Sequence, residues 1–142
     1  MNRTIAWAAA VAATVTIATV SMADEGGGSK TKPLLKTTSS WNDIRYTGYP
    51  AGQPELTTVR MTIPANSKLN WHKHLMPNSA YIVSGQLTIE ERGTGRKATY
   101  NAGQALAESV DNVHRGVTGK EPVVVIVTYA GAQGQPLSVP VP

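Results

Sequence analysis

Three histidines are the only imidazoles among the 142 residues, and their spacing is suited to one kind of chemistry. His72 and His74 flank Lys73 in a stretch that alternates as a strand does. A period of two puts both imidazoles on one face, with Trp71 and Lys73 on the other. Two imidazoles so placed can reach the same cation. His114 comes much later, at the start of another predicted strand. Neutral imidazole suits zinc, iron, copper, nickel or manganese. A His-x-His pair is otherwise a polar strand face, and a lone later histidine is otherwise a surface or core residue, so spacing alone leaves both readings open. The chain has no cysteine. Thiolate zinc sites, iron–sulfur clusters, a disulfide framework and a cysteine nucleophile are therefore excluded.

The elements that must carry these side chains read as strands. Leu56 to Ile63 alternates, with Val59, Met61 and Ile63 on one face. Pro64-Ala65-Asn66-Ser67 is a turn, and Leu69 to His74 a second strand. Tyr81 to Val83 and Leu87 to Ile89 flank a glycine bend at Ser84-Gly85-Gln86. Arg92 to Arg96 makes a hairpin tip before Lys97 to Tyr100, and Asn101 to Gln104 another turn. Ala105 to Glu108, Val113 to Thr118 and Val123 to Tyr129 follow, the last apolar on both faces as a central strand is. Thirteen glycines and nine prolines supply the turns. Short strands between frequent turn signals indicate an all-β sandwich or barrel, whose closure protects sheet edges. Met61, Leu69, Tyr81, Val83, Leu106, Val125 and Val127 are candidates for the inner wall. Leu75-Met76-Pro77 is a loop placed to gate the histidines.

The residues around the histidines resemble the two motifs of the cupin family. The first motif runs glycine, five residues, His-x-His, three or four residues, glutamate, six residues, glycine. His72, His74 and Gly85 stand in register, while Asn66 replaces the opening glycine and Asn78 the glutamate. The second motif runs glycine, five residues, Pro-x-Gly, two residues, histidine, three residues, asparagine. Gly103 and His114 match, and Ser109, Asp111 and Thr118 replace the proline, glycine and asparagine. Asn and Asp tolerate positive φ, so Asn66 and Asp111 are expected to keep those turns.

The resemblance covers residues 55–130 and implies a small double-stranded β-helix, the jelly-roll or cupin barrel. It also implies a divalent transition metal (iron, zinc, manganese, nickel or copper) held by His72, His74 and His114. With Asn78 in place of the glutamate, the first shell resembles the three-histidine site of some cupin dioxygenases. Such an ion keeps open positions and favours anionic, chelating oxygen ligands. Asn78 is expected to orient a ligand or a bound water. Glu108 and Asp111 are the other candidates for a fourth ligand, with both expected to be solvated and Asp111 explained as a turn residue. The function this implies is a dioxygenase-like oxidoreductase acting on a small chelating organic substrate. The alternatives are a non-catalytic small-molecule or sugar-binding cupin and a metal-assisted isomerase or lyase. The resemblance also implies a homodimer, with Leu34 to Tyr49 as an added or exchanged strand; the alternative is that this segment packs on its own barrel.

The N-terminus has a different purpose. Arg3 precedes an apolar run from Ile5 to Val20, and Ser21-Met22-Ala23 supplies small residues for cleavage. Residues 1–23 are thus expected to be a cleaved signal peptide, too short and too rich in Ala and Thr for a stable membrane anchor. The protein is expected outside the inner membrane, in the periplasm or extracellular space. Residues 24–33 read as a flexible polar leader, 34–131 as one cupin barrel, and 132–142 as an irregular tail. Thirteen basic and nine acidic residues give a net charge of +4. The cations are scattered rather than striped, so no nucleic-acid partner is expected, and a small molecule is.

Overall fold

The structure is a computed structural model that describes residues 28–142. The expected signal peptide and the first residues of the leader lie outside the described residues. Two units are distinguished, Met1–Lys32 and Pro33–Pro142. Within the first, residues 28–32 are exposed and outside any strand.

The second unit is all-β. Its strands are β1 (Pro54–Ile63), β2 (His72–Lys73), β3 (Asn78–Ser84), β4 (Gln86–Glu91), β5 (Lys97–Asn101), β6 (Ala105–Ala107), β7 (His114–Thr118), β8 (Val123–Ala132) and β9 (Val139–Pro140). They form two antiparallel sheets, ordered β1-β8-β3-β6 and β5-β4-β7-β2-β9. β8 lies between β1 and β3, as its two apolar faces predict. Burial alternates along β3, β4, β7 and β8, which is the signature of strands with one face turned inward. The inward residues, among them Ile63, Ile82, Leu87, Ile89, Val123 and Val125, form one core. Ile82 is fully buried, and truncating such a side chain to alanine costs about 2–5 kcal/mol.

The turns bear out the reading of the substituted glycines. Asn66 and Asp111 both adopt φ 53°. Gly85 cannot be exchanged in this way. Its φ is 80°, and a Cβ there would lie 2.5 Å from the Pro122 carbonyl oxygen.

Four expectations change. The strand predicted from Leu69 to His74 shrinks to His72–Lys73, because Lys68 and Leu69 meet β7 only through an isolated bridge to Val117 and one bond to the Gly116 carbonyl. Met76 is not part of a gate: it is buried in the core, and its methyl carbon lies 3.2 Å from where a Cβ on Gly131 would be. The tail is not irregular throughout, since β9 pairs with β2 at the sheet edge. Leu34 to Tyr49 packs on its own barrel: the Trp41 amide donates to the Ala107 carbonyl at 2.8 Å, and the Tyr46 hydroxyl to the Glu108 carbonyl at 2.5 Å.

Candidate metal centre

β2 and β7 pair with His72 directly opposite His114. His74 lies just beyond β2, where an isolated bridge ties it to Val110. The three rings consequently converge, with centroids 5.0 Å apart for His72–His74, 4.8 Å for His72–His114 and 5.1 Å for His74–His114. One ligand atom from each falls within 4.8 Å of the others.

The Nδ1 atoms all face main-chain carbonyls: His72 to Asn70 at 2.8 Å, His74 to Leu137 at 2.7 Å, and His114 to Asn112 at 2.9 Å. A carbonyl can only accept, so each Nδ1 carries the proton, and in the neutral ring Nε2 presents a lone pair. The carbonyls thereby fix both tautomer and ring orientation, as partners of metal-bound histidines do. The Nε2 atoms of His74 and His114 are buried and have no hydrogen-bond partner. Buried polar atoms are seldom left unmet. Three converging ring nitrogens, two of them buried without a hydrogen bond, fit a divalent cation, so these three histidines could hold a metal ion.

The carboxylates differ from expectation. Asp111 is exposed and pairs with Lys73 at 2.9 Å, as a turn residue does. Glu108 is not solvated. It is only 8% exposed, and its Oε2 lies 2.8 Å from His74 Nε2 and 3.9 Å from His114 Nε2. Leu106, Ala107, Glu108 and Ser109 are buried in succession, so no period of two turns Glu108 outward. Burial pushes the Glu108 carboxyl up, but the adjoining His74 and the charges of His114 and His72 outweigh it and hold the pKa down to about 2. Burial pushes His74 down, and the Glu108 carboxylate and the Leu137 carbonyl reverse this, leaving it raised. His114 is lowered, chiefly by burial.

These groups line a cavity of about 40 Å³, room for a few waters. Its walls include the expected Met61, Leu69, Val125 and Val127, together with Glu108 and Tyr129. Tyr81, Val83 and Leu106 lie outside it; Val83 points largely to solvent and Leu106 belongs to the core. Tyr129 was legible only as the end of a hydrophobic strand. Its ring stands 5.5 Å from that of His74, and burial, with the Glu108 charge, pushes its hydroxyl up to about 12.

Asn78 shares the buried side of β3 with Ala80 and Ile82. It borders a separate groove beside Tyr46 and Tyr49 rather than the histidine cavity. Both atoms of its side-chain amide are buried without partners. Its main-chain oxygen accepts from the Glu108 amide at 3.2 Å.

A second buried polar cluster adjoins the first. Glu91, opposite His114 across β4 and β7, accepts from Asn42 Nδ2 at 2.8 Å, from Asn112 Nδ2 at 2.7 Å and from the Thr94 hydroxyl. Asn42 Oδ1 in turn accepts from Ser40 at 2.6 Å and Ser109 at 2.7 Å. Asn112, whose carbonyl holds the His114 ring, is thus fixed by Glu91.

No family model matches the chain, and a search of curated proteins finds no match. Solved structures do match. The chain is similar to the DMSP lyase DddQ of Ruegeria pomeroyi, with 18% identity and a TM-score of 0.53, over 59% of this chain and 42% of that one. It thus spans well under half the length of that lyase. It is similar to a conserved protein with a double-stranded β-helix domain from Klebsiella pneumoniae, at 16% identity and a TM-score of 0.53, over 68% of this chain and 88% of that one. It is also similar to a cupin-like protein of Thermotoga maritima, at 13% identity and a TM-score of 0.52, over 61% and 64% of the two chains. With two antiparallel sheets closed over one core and these likenesses, the chain has the cupin fold, a small double-stranded β-helix.

Proposed function

We propose that the protein is an exported metal-dependent enzyme, a dioxygenase-like oxidoreductase acting on a small chelating organic substrate. The observation that carries this is the set of three Nε2 atoms aimed at one cavity with every Nδ1 already committed to a carbonyl. His72, His74 and His114 would hold a divalent transition metal. Such an ion supplies Lewis-acid polarisation and open positions for exchangeable ligands.

The chain's own groups do the remainder. Met61, Leu69, Val125 and Val127 give the cavity apolar walls, which strengthens the polar interactions within it. Its small volume admits only the chelating end of a substrate. The Tyr129 hydroxyl stays protonated at neutral pH and can donate a hydrogen bond to a developing anion. Asn78, expected to orient a bound water or ligand, lines the neighbouring groove instead and is assigned no role at the metal. Cleavage after Ala23 would leave the protein in the periplasm or extracellular space. N-terminal sequencing of the exported form should then begin at Asp24; an intact Met1 contradicts export by cleavage.

One observation favours a second reading, an oxygen-independent lyase or isomerase. A carboxylate, Glu108, and a hydroxyl, Tyr129, line the same cavity and could orient a substrate for proton transfer. An oxygen electrode separates the two. Ferrous-loaded protein should consume oxygen with one of a set of diketones, flavonols or small thiols, and the His72→Ala/His114→Ala variant should not. Equal turnover under argon transfers the assignment to the lyase or isomerase, and ligand binding without turnover to a binding protein.

A further inference from the structure

Building on the metal-site reading above, we propose that Glu108 is the metal's fourth, anionic ligand, replacing from another strand end the carboxylate that the first motif lacks at Asn78. The argument starts from a contact that makes little sense without a cation. His74 donates its Nδ1 proton to the Leu137 carbonyl, so in the neutral ring its Nε2 is a lone pair. The Glu108 Oε2 that faces it at 2.8 Å is also lone-pair bearing. Two such atoms repel at that distance unless a cation lies between them. A proton on His74 Nε2 would make an imidazolium–carboxylate pair there, but it would still leave His114 Nε2, 3.9 Å from the same oxygen, without a partner. An ion standing off the line between the atoms satisfies all three.

The distances suit shared coordination. Bonds of about 2.1 Å to nitrogen and oxygen put ligand atoms about 3.0 Å apart at a right angle and about 4.2 Å apart across the ion. Glu108 Oε2 lies 2.8 Å and 3.9 Å from the two buried nitrogens.

The main chain also holds Glu108 in place. Its amide donates to the Asn78 carbonyl at 3.2 Å, its own carbonyl accepts from Tyr46 at 2.5 Å, and the next residue, Ser109, is anchored to Asn42 at 2.7 Å. The position that has lost the motif carboxylate is therefore bonded through its backbone to the residue that supplies one. Ligation by Glu108 reduces the ion's net charge from +2 to +1, so the open positions favour a singly charged chelating group over a doubly charged one.

The test is metal binding by the purified, demetallated protein, measured with zinc and cobalt(II) against a competing chelator. Glu108→Gln should weaken affinity by about 100-fold, at least as much as loss of an outer partner of a metal ligand, and should shift the visible cobalt spectrum. Asp111→Asn should change neither, and His114→Ala should abolish stoichiometric binding. Infrared difference spectra of wild type should show a carboxylate band that moves on metal addition. That arm needs no variant, so it stands even if Glu108→Gln folds poorly. Wild-type affinity and spectrum in Glu108→Gln, with metal lost in His114→Ala, overturn the proposal and leave the three-histidine site intact. A wild type that takes up no metal overturns both.

Discussion

Two glutamates of this barrel are buried in opposite circumstances. Glu91 accepts from Asn42, Asn112 and Thr94, and the second atom of Asn42 is met by Ser40 and Ser109. Glu108 faces lone-pair nitrogens, with His74 Nε2 and His114 Nε2 unmet beside it. A closed network rigidifies a fold, whereas an open one is costly unless something outside the chain completes it. The contrast separates a structural cluster from a binding site without reference to any relative. Asn112 joins the two, its amide serving Glu91 and its carbonyl His114.

The largest expected effect lies on the open side. A metal present at 1,000 times its dissociation constant stabilises the folded state by about 4 kcal/mol. Thermal unfolding of the chelator-treated protein should therefore move upward on metal addition, and that of His114→Ala should not. An equal shift in both would show that the ion binds elsewhere.

Next comes a matched pair of isosteric changes, made without metal. Glu91→Gln should cost about 2 kcal/mol, because a charge-assisted acceptor is replaced by a group that also presents donors to donors. Glu108→Gln should cost less than Glu91→Gln, since the Glu108 carboxylate meets imidazoles alone whereas Glu91 holds three donors. Urea unfolding measures both, and a larger loss for Glu108→Gln would invert the distinction drawn between the clusters.

The smallest effect is in the pH dependence. The Thr94 hydroxyl, more than burial opposes, and then Asn112, Asn42 and Arg96 lower the Glu91 pKa from 4.5. A depressed carboxylate contributes stability that is full above its unfolded value and lost as pH falls through the folded one. The gap between wild type and Glu91→Gln should thus be complete at neutral pH and narrow in acid below the ordinary carboxylate range. A gap of the same size at both ends would mean that Glu91 acts by packing alone.

How far these features could be read in advance depended on how local their signals are. The longer strands of both sheets follow from alternation, though β9 does not, and the inward position of His72 and His74 follows from the histidine spacing. Asn66 and Asp111 at φ 53° follow from which side chains tolerate that turn. Glu108 did not follow, because β6 is three residues long and the burial after it ignores the period of two. The role of the tail was equally hidden. Its part in the site is one carbonyl, that of Leu137, and carbonyls carry no sequence signal. Tyr129 looked like core because the strand that carries it is apolar throughout, and only the closing of the sheets sets it beside His74.

X-ray absorption at the edge of a bound zinc or iron tests the central claim most directly. The account predicts a single ion whose scattering shows three imidazole nitrogens at about 2.0–2.1 Å, and no stoichiometrically bound ion with that scattering in His114→Ala. A spectrum of oxygen neighbours without imidazole scattering, unchanged by that substitution, would contradict it.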